Sequence, residues 1–476
     1  MRKTLLIFGL ILTSLPSGCS LAPKYTRPEA PVPAGWPTGA AYKEIQAAAV
    51  APTASELAWQ EFFTDKNLKQ VIEMALTNNR DLRLAALNVE RARELYGIRR
   101  TELLPVVNAT GSGSKERVAA DLSGTGKSMT VEQYSVNLGI IAWEIDFFGR
   151  IRNLKERALE EYLASEQAHR SAQILLVSEV ANAYLTLAAD RENLNLTQST
   201  LDTQQAAYDL IRRRYETGLV PELDLRQAQT RVDAARVDAL LFTQLVAQDE
   251  TALNLLVGST VPSELLPATL SSVSQPKDVS PGVSSEVLLR RPDVLQAESL
   301  LRAAHADIGA ARAAFFPSIS LTAAVGTASD ELSGLFQSGS GTWIYSPQVV
   351  MPIFDARTWS ALKITKAQRQ IALTQYEKAI QNAFKEVADA LAVQGTIDEQ
   401  LSAQQSLVNA TTETYRLSNA RYMKGIDNYL VVIDAQRSLY VAQLRLVSLR
   451  LTRIANQVRL YAVLGGGSDS PKSTEP

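Results

Sequence analysis

Residues 132–142 read Glu132-Gln133-Tyr134-Ser135-Val136-Asn137-Leu138-Gly139-Ile140-Ile141-Ala142. In an extended chain, Tyr134, Val136, Leu138, Ile140 and Ala142 fall on one face, and Gln133, Ser135, Asn137 and Gly139 on the other. That is a strand with one greasy side. A second such segment follows later, where Ile319, Leu321, Ala323 and Val325 alternate with Ser318, Ser320, Thr322 and Ala324. Its return strand is expected from Trp343 to Ile353, with Trp343 and Tyr345 near the loop end, where aromatics suit a membrane interface. A partner strand around Val107 and Ala109 is more weakly patterned. The chain thus has two strand pairs, at about 105–147 and about 317–354.

Four strands cannot close a barrel, and an open sheet edge in hydrocarbon costs several kcal/mol per unpaired backbone group. Bacterial barrels begin at eight strands. A membrane location therefore forces oligomerisation, and three copies would supply twelve strands.

The strand pairs belong to a duplicated sequence. Residues 147–258 align without a gap with 354–465 at a constant offset of 207: Tyr208, Arg214, Tyr215, Gly218 and Gln229 recur as Tyr415, Arg421, Tyr422, Gly425 and Gln436. Upstream the offset is 212, pairing Asp81 with Asp293, Arg100 with Arg312 and Pro105 with Pro317. Each copy is far longer than a solenoid unit, so this is one duplication giving two similar halves, 65–258 and 285–465, joined by a linker at 259–284.

Around each strand pair the composition is helical. From Asp65 to Leu103 there is no proline, which predicts one helix of about 38 residues ended by Pro105. Gly149 to Thr217 and Ala356 to Lys424 each run about 69 residues without proline, enough for a helix near 100 Å. After Gly218 and Gly425 the chain returns through about 36 residues of helical pattern, as in Leu439, Ala442, Leu446, Val447 and Ile454. The leading and returning helices together match the long one, so two short helices stacked end to end are expected to flank it. Asp146 and Asp355, at the strand-to-helix junctions, read as helix caps.

The first residues address the protein. Arg2 and Lys3 precede an apolar run from Leu5 to Leu15, and residues 1–18 read as a secretory signal, too short to span a membrane. Cys19 follows Gly18 and is the only cysteine, so no disulfide forms within the chain. Its position resembles that of an acylated bacterial lipoprotein cysteine, with Ser20 rather than Asp next, as suits an outer-membrane destination. Pro16 departs from that pattern, which has Leu three residues before the cysteine. Five prolines between Pro23 and Pro37 make the segment 19–64 extended, draped over the helices, and 466–476 reads as a disordered tail.

Composition removes other classes. Lys plus Arg is 48 against 50 Asp plus Glu, which leaves no basic footprint for nucleic acid. Beyond the signal, no uninterrupted apolar run approaches the roughly 18 residues of a membrane helix, so a membrane crossing must use strands. His169 and His305 are the only histidines, each alone in a helical segment. No cluster has metal-ligand spacing and no strand-turn-helix nucleophile elbow appears, so neither an enzyme nor a bound cofactor or metal is expected.

Several further motifs resemble one family. Arg290-Arg291-Pro292-Asp293 with Ala297-Glu298, Ile308 to Arg312, Phe315 to Ile319, Trp143 to Arg150 and Pro352 to Asp355 are similar to the outer membrane factor family of TolC- and OprM-like efflux channels. Trp59, Phe62-Phe63, Asp65, Asn78-Asn79 and Asp81-Leu82 also resemble its N-terminal region, so the likeness spans the mature chain. The resemblance implies a homotrimer, with a twelve-stranded outer-membrane barrel continuing into a long periplasmic helical barrel and a mixed belt. It also implies a periplasmic adaptor and an inner-membrane pump as partners, and the lipoprotein-like start favours the branch serving RND-type pumps.

In such a channel the control point is a constriction away from the membrane, where the helices turn at Gly218 and Gly425. Leu430, Asp434 and Arg437 match positions with which the family narrows its periplasmic entrance. Read on their own, Asp434 and Arg437 are an ordinary exposed pair on one helical face, worth a few tenths of a kcal/mol. The first copy has Gln227 and Thr230 in their places, though Asp224 is close, so only one hairpin is expected to move. The tips Thr217-Gly218-Leu219 and Lys424-Gly425-Ile426 resemble adaptor-docking tips; both glycines also suit a helix C-cap needing positive φ. Two other readings stand beside an efflux channel: a structural coiled-coil surface lipoprotein, and a channel for type I protein secretion.

Overall fold

A computed structural model describes residues 20–42, 54, 57–280, 282 and 284–466. The signal segment, Cys19 and residues 467–476 lie outside the described residues.

The four expected strands form one antiparallel sheet, in the order β1 (Val107–Val118), β2 (Met129–Glu144), β3 (Ser318–Ser329), β4 (Gly341–Val350). The weakly patterned β1 pairs with β2 along its whole length, from Val107 opposite Ile140 to Val118 opposite Met129. The register fixes the two faces. Ala109, Leu138, Val325 and Trp343 stand in one row across the sheet, and Val107, Ile140, Ala323 and Tyr345 in the next. On the opposite face, Asn108, Gly139, Ala324 and Ile344 run between these two rows, and Thr110, Asn137, Gly326 and Thr342 lie beyond the first. The greasy face is open to solvent at Val325 and Trp343, 62% and 80% exposed. Among the described residues, neither the outer edge of β1 nor that of β4 has a strand partner.

Two strand expectations need correction. The alternation of β2 holds to Ile140 and then breaks at a bulge before Trp143. Ala142 has φ 50° there, and its N–H donates to Thr322 Oγ1 at 3.1 Å instead of joining the ladder. Trp143, not Ala142, therefore takes the next position opposite Leu321. The return strand starts at Gly341 and stops at Val350, short of Ile353, because its partner β3 begins opposite Val350 at Ser318, directly after Pro317.

The helices are α1 (Trp59–Phe62), α2 (Lys66–Asn78), α3 (Arg80–Thr101), α4 (Arg150–Glu216), α5 (Glu222–Val257), α6 (Pro292–Ala313), α7 (Ala356–Met423) and α8 (Tyr429–Val463). The long ones, α4 and α7, run unbroken for 67 and 68 residues, and the returning α5 and α8 for 36 and 35. Asp146 Oδ2 accepts from the Arg152 N–H at 2.9 Å, and Asp355 Oδ1 from the Arg357 N–H at 3.0 Å, so both junction aspartates bond the first turns. The single leading helix expected over 65–103 is in fact two. Asn79 has ψ 132°, its backbone N–H ends α2 on Ala75 O, and its side chain starts α3 by accepting from the Leu82 N–H at 2.8 Å. A residue that caps in both directions is invisible to composition.

By compactness the chain divides into two units. One comprises Met1–Glu29, Asn88–Ser165 and Ala297–Tyr376 and holds the sheet; the other comprises Ala30–Leu87, Glu166–Gln296 and Glu377–Pro476. In the first, the extended N-terminal segment is fastened to α6. Glu298 is buried, and it accepts from Tyr25 Oη at 3.0 Å, from Arg302 at 2.8 Å and from Arg27. Burial opposes its charge, but those three donors prevail and hold its carboxyl below the usual range. In the second unit, Trp36 stacks on Phe384 and donates to Gly282 O at 3.1 Å, while Phe62 stacks on Tyr461 at 4.1 Å. The linker of 259–284 is packed here too: Tyr184 Oη donates to Leu265 O at 3.1 Å and Arg191 to Pro267 O at 2.7 Å.

Candidate functional site

The second unit contains the helix turns, and each is built by the same bonds. In the first, the Gly218 N–H donates to Tyr215 O at 2.9 Å and the Leu219 N–H to Arg214 O at 2.8 Å; in the second, Gly425 donates to Tyr422 O at 2.9 Å and Ile426 to Arg421 O at 3.0 Å. This 5→2 and 6→1 pattern needs a left-handed residue, and the two glycines have φ 76° and 71°. Leu219 and Ile426, the residues after each glycine, are exposed at the very ends.

The tips differ in what surrounds that frame. Val220 in the first corresponds to Asp427 in the second, where Arg421 grips it through two bonds of 2.6 and 3.1 Å. Arg214, the counterpart of Arg421, turns instead to Tyr422, donating to its Oη at 3.1 Å. Just above, Ile211 and Ala228 pack with Tyr422, Tyr429, Val432 and Ile433, so the two hairpins share a small core rich in tyrosine. Burial, then the neighbouring Tyr422, pushes the Tyr429 hydroxyl up to about 12, so it stays neutral. Sequence reasoning did not single out Arg214, Tyr422 or Tyr429 as linking the hairpins; Arg214 and Tyr422 recur at offset 207 as Arg421 and Tyr215, which was the available signal, whereas Tyr429 stands opposite Glu222.

Leu430, Asp434 and Arg437, expected at the entrance, lie in the first turns of α8. Leu430 is 54% exposed, and Asp434 stands one turn further on the same face. Arg437 donates to Asp434 Oδ1 at 2.6 Å, and their side chains are 60% and 65% exposed. Within one chain they are therefore paired with each other. Beside them, a groove of about 550 Å³ between α7 and α8 is lined by Thr411, Thr414, Ser418, Leu430, Asp434 and Ser438.

At the opposite ends of the returning helices, the expected stacking has a matched joint in each copy. Asn79 Nδ2 donates to Leu256 O at 2.8 Å, near the end of α5. Gly258, which ends that helix at φ 73°, lies so close to Asn78 that a Cβ would stand 2.5 Å from Asn78 O. In the second copy Arg291 replaces Asn79 and donates to Val463 O at 2.6 Å, the counterpart of Leu256 O. Arg291 also bonds Asp293 at 2.8 and 3.0 Å and Glu386 at 2.8 Å. Duplicate backbones have thus kept one contact with two chemistries. Among the described residues no group of three or more His, Cys, Asp or Glu side chains is arranged to hold a metal ion.

Residues 71–259 and 283–466, the two repeats almost end to end, match the family described as outer membrane efflux protein. The chain belongs to that family. It is 49% identical over 98% of its length to the probable efflux pump outer membrane protein TtgC of Pseudomonas putida, covering 96% of that protein. It is 41% identical to the outer membrane protein OprJ of Pseudomonas aeruginosa, over 99% of this chain and 98% of that one. Its fold is similar to the open state of the MtrE outer membrane channel of Neisseria gonorrhoeae, with a TM-score of 0.85, 34% identity, and 96% and 100% of the two chains covered. The family resemblance read from the motifs is therefore correct. The protein is an outer-membrane component of an efflux system, and its role as a family member is passage across a membrane.

Proposed function

We propose that three copies of this chain form a continuous exit duct, through which solutes delivered by an inner-membrane RND-type transporter and a periplasmic adaptor leave the cell. One observation supports this above the others: a four-stranded sheet with an apolar outer face and two bare edges. In lipid those edges must be covered, and β4 of one copy against β1 of the next covers them, giving twelve strands after three copies. The helical part then stands in the periplasm. Water fills the lumen, so solutes need no recognition, and the protein makes and breaks no bonds. The names of its relatives, efflux pump proteins, favour export of small solutes over type I protein secretion, and the one-sided sheet favours a channel over a surface coiled coil.

In this reading Leu430, Asp434 and Arg437 of three chains form rings that narrow the entrance. Leu430 excludes water and the charged rings repel ions; opening requires α7 and α8 to swing outward. The tips Thr217-Gly218-Leu219 and Lys424-Gly425-Ile426 offer the adaptor two apolar points, Leu219 and Ile426, on rigid turns. Cys19, acylated after signal cleavage, tethers the chain to outer-membrane lipid.

Single-channel conductance in planar bilayers tests the gate. Leu430→Ala combined with Asp434→Ala raises conductance, and an unchanged value removes these residues from the constriction. Cross-linking from Leu219 or Ile426 that ignores the adaptor's presence removes the docking role. Radiolabelled palmitate is incorporated by the parent chain and not by Cys19→Ala; equal labelling of both rejects the anchor.

A further inference from the structure

Resting on the gate reading above, we propose that Tyr440 is the pivot of the entrance: the point where α8 is fastened to the first hairpin, below which it swings and above which it stays. Its hydroxyl meets two helices at once. Tyr440 Oη lies 3.0 Å from Thr197 Oγ1 on α4 and donates to Asp238 Oδ2 on α5 at 3.2 Å. Thr197 is fully buried, and with one proton on each hydroxyl Thr197 donates to Tyr440 Oη while Tyr440 donates to Asp238, so the tyrosine is held against the body of α4 and not by a loose side chain.

The surroundings change character at this residue. Toward the tip, Ile211 and Ala228 of the first hairpin pack with Tyr429, Val432 and Ile433 of α8 and with Tyr422 of α7, which also takes the Arg214 bond, so α8 itself is held there by mostly apolar contacts. Its packing against its own partner is also loose there, since the 550 Å³ groove between α7 and α8 ends at Ser438, two residues before Tyr440. Away from the tip, α8 is tied repeatedly: Gln404 to Ala442 O at 2.9 Å, Arg450 to Glu192 at 3.6 Å, Asn456 to Ala390 O at 3.0 Å. Tyr440 is where the loose stretch meets the tied one.

Leverage follows from position. Residues 425 to 440 span about 22 Å at about 1.5 Å per residue, so a tilt of about 10° at Tyr440 carries the tip through about 4 Å. The tyrosine acts through the helix and touches no solute; it is a positioning residue.

Tyr440→Phe in the full-length protein removes the hydroxyl and keeps the ring. Spin labels in a Cys19→Ser background report the motion directly: one pair at Leu219→Cys and Ile426→Cys below the pivot, another at Asn195→Cys and Ser448→Cys above it. With Tyr440→Phe the lower pair's distance distribution shifts or broadens by about 4 Å while the upper pair stays as in the parent, and Asp238→Asn, which still accepts a hydrogen bond, restrains the lower pair better than Asp238→Ala. No change in the lower pair, or equal change in both pairs, overturns the proposal. Because distances are read and not currents, a failed gate, with Leu430→Ala plus Asp434→Ala leaving conductance unchanged, is told apart from a failed pivot.

Discussion

Replacing Arg291 tests how the second returning helix is anchored. The guanidinium is 8% exposed and gives its shortest bond to Val463 O, in the last turn of α8. A hydrogen bond from a charged donor to such a group contributes about 1.5–3 kcal/mol. The two ion pairs are to half-exposed carboxylates, Asp293 and Glu386, and together add about 1 kcal/mol after solvent screening. Arg291→Ala therefore costs about 2.5–4 kcal/mol locally, which is roughly a 60- to 700-fold rise in opening of the last turn, at about 1.4 kcal/mol per tenfold. Arg291→Asn is the sharper perturbation. It installs the residue that already serves the first copy, where Asn79 reaches Leu256 O. It should forfeit the ion pairs, about 1 kcal/mol, and the difference between a charged and a neutral donor, about another 1 kcal/mol, or roughly 25-fold in all. Hydrogen exchange by mass spectrometry on peptides covering residues 456–464 reads both numbers. Exchange in Arg291→Ala equal to the parent, or Arg291→Asn as fast as Arg291→Ala, would refute the equivalence of the two joints.

Other outcomes follow from the same geometry. Gly258→Ala places a Cβ against Asn78 O in a left-handed conformation, and thermal unfolding of the detergent-solubilised protein should fall by several degrees, the strain being about 1–3 kcal/mol. Asp249 is raised to about 6, first by burial and then by the adjacent carboxylate of Asp190. Its folded-state value exceeds the unfolded one, so its protonated form favours folding, and that contribution is present below about pH 4 and lost as pH rises through about 6. The pH dependence of melting over that window should flatten in Asp249→Asn, with the variant melting above the parent at pH 7. Tyr422→Phe removes the acceptor for Arg214 and leaves the ring under it, so conductance should rise less than for Tyr422→Ala.

Long-period features were legible in the sequence. The repeat, the two long helices, their returns and the one-sided strands are patterns of period 207, 3.6 and 2, and each signal accumulates over many residues. What failed was decided by single atoms. Asn79 breaks a helix because its side chain finds the Leu82 N–H, and Ala142 leaves the ladder because Thr322 offers an oxygen. The strand β1 was faint because its residues 110–114, Thr-Gly-Ser-Gly-Ser, are small and polar, yet pairing with β2 carries it. Near the start of α8, spacing placed Asp434 and Arg437 on one face, but no spacing rule connects Tyr440 to Thr197 and Asp238, more than 200 residues away.

The unlike joints at Asn79 and Arg291 carry a consequence for the living cell. An amide-to-carbonyl bond is almost indifferent to dissolved electrolyte, whereas a guanidinium shared between two partly wetted carboxylates is weakened as the Debye length shrinks. Since the outer membrane admits small ions, a bacterium moved from fresh water to brine softens one half of this pseudo-symmetric assembly and leaves the other as it was.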